Sequence, residues 1–132
     1  MADNEMAIML MFAGQAEEAS GFYTGLFADS SVEFIERYGP EFPGPVGQVV
    51  HARFRLNGQL VVAMDSAVEH AFTFTPSTSF FLTCASAEEV DRLYAELVDG
   101  GSVMMALDSY PFAKRYAWVQ DRFGVSWQLM FA

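Results

Sequence analysis

An internal repeat constrains what this chain can fold into more than any other feature of its sequence. Residues 16–23 read AEExxxFY, and residues 87–94 read AEExxxLY at an offset of 71. The last strand-like run of each copy recurs at an offset of 66, at which Gly58 and Met64 correspond to Gly124 and Met130. The difference of five residues corresponds to a Pro/Gly-rich loop at residues 39–45 of the first copy. A repeat of this kind predicts two copies of one supersecondary unit.

Each copy predicts the same order of elements, which is strand, helix, strand, strand and strand. Helices are predicted where apolar residues fall at helical spacing, and strands where apolar and polar residues alternate. The first copy has strands at 6–12, 31–38, 48–56 and 59–65 and a helix at 16–27; the second has strands at 79–84, 102–108, 115–120 and 125–131 and a helix at 87–98. The sequence therefore predicts one α+β domain over residues 1–132, with a first βαβββ unit at about 6–66, a connector at 67–77 and a second unit at about 78–131.

Local signals support these boundaries. Asn57-Gly58 predicts a tight hairpin turn, and Gly124 is suited to the positive φ of the turn before the last strand. Ser86 with Glu89 three residues later predicts a capping box at the second helix. Asp65, the one acidic residue in its strand, is interpreted as the residue that ends the strand rather than as an acid or base.

Charge and composition exclude several classes of function. The formal net charge is -10, which repels phosphate backbones and anionic lipid, so neither nucleic acid nor a membrane is predicted as a partner. No segment approaches the length of a transmembrane helix. The lone cysteine, Cys84, excludes an intrachain disulfide and favours a cytoplasmic location; it is predicted to be a buried apolar residue. Thirteen Phe and eight Met indicate an apolar pocket.

The strand at 48–56 carries the clearest basic face. Its apolar residues are predicted to pack under the helix: Val50, Ala52, Phe54 and Leu56. His51, Arg53 and Arg55 then lie on the opposite face, where they could hold a carboxylate or phosphoryl group. The alternative is that the arginines pair with surface Asp or Glu. His51 is a candidate general base, and an equally open interpretation is that it has a structural role.

Aromatic and polar residues in three other segments are candidate ligand contacts: the connector, the last strand and the strand before it. His70, Phe72 and Phe74 alternate along one side of the connector, as an aromatic wall or as core. In the last strand, Ser126, Gln128 and Met130 point to one face, and Tyr116 and Trp118 of the preceding strand are predicted to share it. These aromatics suit a small-molecule pocket, and they equally suit a core or a dimer interface.

The motifs along the chain resemble those of the PhnB-like family, which is often labelled a 3-demethylubiquinone-9 3-methyltransferase domain. The motifs are GQAEEA with FY at residues 14–23, HA at 51–52, DS at 65–66, HAFTF at 70–74, EVD at 89–91 and DRFGVSWQ at 121–128. The family is part of the vicinal oxygen chelate superfamily, which includes glyoxalases, bleomycin-resistance proteins and extradiol dioxygenases. The resemblance implies two βαβββ repeats that form a cupped, mostly antiparallel half-barrel sheet around a cleft, and a homodimer.

The resemblance also implies where a metal ion and a cofactor would bind, and the residues at those places can be compared with what each group needs. Metal-using branches of the superfamily take ligands from the first and last strands of each unit, and the repeat offsets place these positions at Ile8, Ser79, Val62 and Gln128. These residues are poor ligands for a catalytic metal, so no metal is predicted. The methyltransferase label implies S-adenosylmethionine, but the chain has no Gly-x-Gly loop between a strand and a helix. No cofactor is predicted.

The preferred hypothesis is metal-free binding of a small aromatic or anionic molecule in the cleft. Its predicted contacts are His51, Arg53, His70, Phe72, Ser79, Tyr116, Trp118 and Gln128. One alternative is an enzyme, a lyase, isomerase or group-transfer catalyst that uses His51 with or without a metal. The other is a structural or partner-binding homodimer. The sequence does not identify the ligand or say whether a reaction occurs.

Overall fold

The computed structural model describes residues 4–41 and 43–132, which divide into two compact units, the first ending at Ala71 and the second beginning at Phe72. Each unit has the predicted βαβββ order, so the α+β class and the repeat are confirmed. The grouping of both units into one domain stays a prediction. Phe42, within the predicted loop at 39–45, lies outside the described residues.

The first unit is a four-stranded mixed sheet with one helix. Its elements are β1 (Ile8–Phe12), α1 (Ala16–Thr24), β2 (Ser30–Arg37), β3 (Val49–Leu56) and β4 (Gln59–Asp65). The strand order is β1-β4-β3-β2, with β1 parallel to β4 and the other neighbours antiparallel. The parallel pair needs a long crossover, and α1, β2 and β3 provide it. The predicted helix is three residues too long, since α1 ends at Thr24.

The second unit repeats this arrangement. Its elements are β5 (Ser79–Thr83), α2 (Ala87–Val98), β6 (Ser102–Tyr110), β7 (Ala113–Gln120) and β8 (Ser126–Phe131). The strand order is β5-β8-β7-β6, and β5 is the parallel partner of β8. Gly101 is a point of close backbone approach, because an added Cβ would lie 2.1 Å from the carbonyl oxygen of Gln120. A side chain at this position would therefore displace the start of β6 from the end of β7.

Each helix covers one face of the sheet in its own unit. We call this the helix face, and the opposite side the open face. In the first unit the helix face is built from residues that are 4% exposed or less: Ala52, Phe54, Leu56, Val61 and Ala63. Val50 was predicted to belong to this set, but it is half-buried and Val49 is buried instead. A register irregularity between Glu36 and Arg37 of β2 lies opposite this part of β3 and interrupts the alternation.

The two helices begin in different ways. The Ser86 hydroxyl accepts a hydrogen bond from the backbone N–H of Glu89 at 3.1 Å, as the capping motif predicts for α2. At α1 the residue before the helix, Gln15, makes no such bond. Instead, Oδ1 of the buried Asp65 accepts from the backbone N–H groups of Gly14 and Ala16, both at 2.9 Å. Asp65 also accepts from the Val49 N–H through Oδ2, so one carboxylate ties β4 to α1 and β3.

The predicted turns are confirmed. Asn57 and Gly58 have φ values of 50° and 87°, as a two-residue hairpin between β3 and β4 requires. Gly124 has φ 92° in the turn that precedes β8. Among the described residues, no helix is long and apolar enough to cross a membrane.

Candidate functional site

The open face of the second unit carries a connected group of polar side chains. Strand alternation places Ala117 and Leu129 on the helix face, and Tyr116, Trp118 and Gln128 opposite them. Trp118 and Gln128 are direct cross-strand partners, and β5 adds Ser79 beside β8. The structure therefore brings together the four residues that were predicted for this unit's sheet: Ser79, Tyr116, Trp118 and Gln128.

These side chains form one continuous chain of hydrogen bonds, which we call the polar network. The Tyr116 hydroxyl donates to Oε1 of Gln128 at 2.7 Å, and the Gln128 amide donates to the Ser79 hydroxyl at 3.4 Å. Ser79 and Ser126 share a hydrogen bond of 2.6 Å between their hydroxyl groups. The Trp118 indole N–H donates to the Ser126 hydroxyl at 2.8 Å. The network thus has five members: Tyr116, Gln128, Ser79, Ser126 and Trp118.

The polar network has hydroxyl and amide hydrogens that its internal hydrogen bonds do not use and that a ligand could accept. Either hydroxyl can donate in the Ser79–Ser126 bond. We assign the donor to Ser126, because it is 1% exposed, its oxygen accepts the indole N–H, and a buried hydroxyl hydrogen needs an acceptor. The Ser79 oxygen then accepts from both Ser126 and Gln128. Within the network, the hydrogens not yet used are the Ser79 hydroxyl hydrogen and the second amide hydrogen of Gln128. Both side chains are half-buried, so the network presents donors at an accessible position.

Aromatic rings flank the polar network. The Tyr116 ring packs edge-on against Phe112 and Tyr110, with centroid distances of 4.9 Å and 5.6 Å. Burial, and secondarily the charge of nearby Tyr110, raise the pKa of the Tyr116 phenol, so it stays a donor to Gln128. Phe81, the register partner of Gln128, is 56% exposed. A ligand at the network would contact both donors and apolar surface.

Sequence reasoning missed three of these side chains. Ser126 was placed on the correct face by alternation, but its bonds to Ser79 and Trp118 depend on the parallel pairing of β5 with β8. Tyr110 and Phe112 lie at the β6–β7 hairpin, and the predicted strand ended at residue 108. The aromatic alternation at Tyr110 and Phe112 was the available signal.

The open face of the first unit carries the predicted basic residues, and they are paired with carboxylates. Arg53 contacts Glu5 and also Glu33, the latter at 3.5 Å. Arg55 contacts the same two carboxylates, Glu33 at 3.0 Å and Glu5 at 3.6 Å. The arginines therefore make the surface pairs that the alternative named, and the role of Arg53 in ligand binding stays a prediction. The hydrogen bond that Arg53 donates to Glu5 raises the pKa of the Arg53 guanidinium.

His51 shares the open face with these arginines. Its ring contacts Phe34 in an edge-on arrangement, with a centroid distance of 5.8 Å. Glu36 is its direct partner on β2, so a carboxylate lies across the strand pair from the imidazole. This neighbour follows from the register of β2 and β3, which local sequence patterns do not predict.

The connector residues lie on both sides of the division between the units. His70 Nε2 is 2.9 Å from the Ser66 hydroxyl in the first unit. Phe72 begins the second unit and is 66% exposed. Phe74 lies beside Gly124. The aromatic wall that these residues were expected to form stays a prediction.

A surface recess of about 250 Å³ lies at the end of β2, lined by Glu36, Arg37, Gly39, Pro40 and Glu41. Arg37 is held by both carboxylate oxygens of Glu17 at 2.6 Å and 2.8 Å. The recess includes none of the predicted contact residues.

The metal-ligand position on the first strand needs a correction. Leu10 and Phe12 are buried on the helix face of β1. Strand alternation puts Ile8 on that same face, so it does not correspond to Ser79. Met9 is the residue on the open face, and it is 55% exposed.

The error arises because strands and helices repeat at different offsets. Met11 pairs with Met64 as Thr83 pairs with Met130, so the first strands repeat at an offset of 72. The helices repeat at 71, because Met11 lies five residues before the start of α1 whereas its register equivalent Thr83 lies four residues before the start of α2. A shift of one residue turns a strand side chain to the other face.

The corrected positions do not fit a metal ion. Met9 pairs with Val62 and Phe81 pairs with Gln128, so this set offers one thioether and one amide. Catalytic divalent metals are held by imidazole, carboxylate or thiolate groups. Within residues 4–41 and 43–132, no group of three or more His, Cys, Asp or Glu side chains is placed to hold a metal ion.

Cys84 is a buried free thiol, as predicted. Burial, with a smaller effect from Glu89, raises its pKa to about 12. The thiol therefore stays protonated and non-nucleophilic at neutral pH. Its contribution to stability is present below its ordinary pKa of 9.0 and is lost as the pH rises from 9 towards 12.

The family match and the two βαβββ units place this chain in the vicinal oxygen chelate superfamily. The model of one family, described as 3-demethylubiquinone-9 3-methyltransferase, matches residues 4–130. The chain belongs to this family, whose members are also called PhnB-like. The family predicted from the motifs is therefore confirmed.

Solved structures agree with this assignment. The chain is 47% identical to the PhnB protein from Bacillus cereus. The match covers 98% of this chain and 100% of that one, with a TM-score of 0.93. It is 26% identical to protein PA1353 from Pseudomonas aeruginosa, with 98% of each chain covered and a TM-score of 0.83. The fosfomycin resistance protein FosX from Listeria monocytogenes shares the fold at 14% identity, with 98% and 93% covered and a TM-score of 0.62.

Proposed function

We propose that this protein binds, without a metal ion, a small molecule in which an acceptor oxygen adjoins an aromatic or apolar group. The observation that carries the proposal is the polar network of the second unit, whose unused hydrogens lie on Ser79 and Gln128. A carbonyl, carboxylate or phosphoryl oxygen accepts such hydrogens, and a cation does not. The predicted contacts of His51, Arg53, His70 and Phe72 with the ligand are part of the same proposal.

The surroundings of the polar network support a role in binding. Five polar side chains linked on one sheet face are more than packing of that face requires, since apolar pairs would pack it without desolvating hydroxyl and amide groups. The network is fixed before a ligand arrives, because Tyr116 and Ser79 hold both ends of the Gln128 amide. A fixed donor pair loses little conformational entropy on binding.

Replacing Gln128 with methionine tests this proposal. We expect Gln128→Met to weaken the binding of aromatic carboxylates and aryl ketones by about five- to tenfold, since one hydrogen bond to the ligand is lost while side-chain length is kept. Benzoate and acetophenone are suitable first probes, screened by thermal shift and quantified by isothermal titration calorimetry on the full chain.

The matched control is Gln59→Met, which makes the same change at an exposed position on β4. Equal affinities in the two variants would remove Gln128 from the binding site. A panel of such compounds that neither binds to nor stabilises the wild-type protein would contradict the proposal as a whole.

We also propose that the protein is a homodimer located in the cytoplasm. Apolar side chains that are about half exposed on strands support association: Met9 at 55%, Phe34 at 49% and Phe81 at 56%. The single free cysteine supports a reducing compartment.

Light scattering coupled to size-exclusion chromatography checks the association. We expect a mass of twice the 14.7 kDa of one chain at micromolar concentration. A mass of one chain over the whole accessible concentration range would contradict the dimer.

A further inference from the structure

Two arginines on β3 of the first unit share the same two carboxylate partners. Arg53 and Arg55 are two residues apart on one strand, so both guanidinium groups lie over the open face. Glu33 and Glu5 each contact both of them. We call these four residues the charge cluster. Its two positive and two negative charges balance.

The two carboxylates of the charge cluster are held in different ways. Glu33 lies within β2, at the register irregularity between Val32 and Phe34, and the pairing of β2 with β3 on either side of it holds its backbone. Glu5 precedes β1, and the pairing of β1 with β4 begins only at Ile8. Since the strand order is β1-β4-β3-β2, Glu5 reaches across the position of β4 to contact the arginines.

The contact of Glu5 with the arginines is also accessible to solvent. The Glu5 side chain is 53% exposed, and those of Arg53 and Arg55 are 30% and 40% exposed. Exposed ion pairs of this kind each change an equilibrium by only about 1.5- to fivefold. An anion from solution can therefore compete with Glu5 for the guanidinium groups.

The charge balance identifies the anion that competes best. When Glu5 leaves, the charge cluster has two positive charges and one negative charge. A dianionic phosphoryl group brings more charge than one carboxylate, and its oxygens can accept hydrogen bonds from both guanidinium groups together. A monocarboxylate only replaces what Glu5 already supplies.

We propose that Glu5 is an intramolecular stand-in for a dianionic phosphoryl ligand and that this ligand displaces it from Arg53 and Arg55. The inference rests on the proposed binding function, since it specifies how an anionic ligand reaches the first unit. The segment before β1 then acts as a tethered competitor, whose effective concentration sets how much free anion is needed.

Inorganic phosphate is the probe that tests this inference. With the full chain at constant ionic strength, we expect Glu5→Gln to bind phosphate about three- to tenfold more tightly than the wild type, because two exposed ion pairs no longer compete. The titration is followed through the arginine Nε–H resonances by NMR. The double variant Glu5→Gln, Arg53→Gln should lose this gain.

Glu17→Gln is the matched control, because it removes the same charge from the same unit at a carboxylate that pairs with Arg37 instead. Its phosphate affinity should stay within about twofold of the wild type. Equal gains in Glu5→Gln and Glu17→Gln, or no phosphate binding by either wild type or Glu5→Gln, would overturn the inference. Loss of the Gln128-dependent binding would instead overturn the proposed function, so the two failures are distinguishable.

Discussion

Replacing Asp65 with asparagine is expected to lower the free energy of unfolding by about 3 kcal/mol. The Asp65 carboxylate is 1% exposed and accepts hydrogen bonds from three backbone N–H groups, those of Gly14, Ala16 and Val49. An amide keeps the shape of the side chain but provides only one acceptor oxygen. Its NH2 group would face at least one of these N–H donors, which then loses its partner in a buried environment.

Urea denaturation followed by circular dichroism measures this change. Asp91→Asn is the matched control, since Asp91 pairs with Arg115 on the surface and its side chain is 47% exposed. The control should cost less than about 1 kcal/mol. If Asp65→Asn proved no more destabilising than Asp91→Asn, the carboxylate would not be the anchor of α1. A fall in the slope of the transition would indicate that the first unit unfolds separately.

Asp65 also shows what local patterns can and cannot predict. The sequence predicts correctly that the strand ends at this residue, because the continuous run of apolar residues stops there. The bond from Gly14 spans 51 positions and depends on the parallel pairing of β1 with β4, and the bond from Val49 spans 16 positions and depends on the antiparallel pairing of β3 with β4. Strand pairing is a long-range property, so the anchoring role is absent from any local window.

In the rest of the fold, too, local patterns predicted the elements, and long-range pairing determined the details that were missed. Strands and helices were predictable because each copy of the repeat confirms the other, and the helix at 87–98 is correct at both ends. The face of Ile8 was wrong because register-equivalent positions of the first strand lie one residue closer to the helix in the second unit. Repeat arithmetic detects equivalent elements, but the direction of a strand side chain changes with a single residue.

In the candidate site, strand alternation predicted some residues, and strand pairing determined the contacts of the others. Tyr116, Trp118 and Gln128 were predicted because they alternate along two neighbouring strands. Ser126 was missed because its two hydrogen-bond partners lie on β5 and β7, on either side of it. Pairing of Arg53 and Arg55 with surface Asp or Glu was one of two alternatives, but the partner Glu5 could not be named because it lies 48 residues from Arg53 in the sequence.

Replacing Asp121 with asparagine is expected to lower the free energy of unfolding by about 2 kcal/mol and to weaken the site. Asp121 is 3% exposed. Its Oδ1 accepts from the backbone N–H groups of Phe123 and Val125, at 2.9 Å and 3.1 Å, and its Oδ2 accepts from the Trp127 indole N–H at 2.9 Å. An asparagine can keep the two backbone bonds, but its NH2 group would then face the indole N–H.

A double-mutant cycle with Trp127→Phe isolates that contact. Removing the indole N–H relieves the repulsion in Asp121→Asn, so the double variant should be more stable than the sum of the single changes predicts, by about 1–2 kcal/mol. Strict additivity in urea denaturation would show that Asp121 acts only through the turn. Because this turn leads directly into β8, which carries Ser126 and Gln128, Asp121→Asn should also reduce ligand affinity at temperatures where the chain is still folded. An unchanged affinity would mean that the turn and the polar network are held independently.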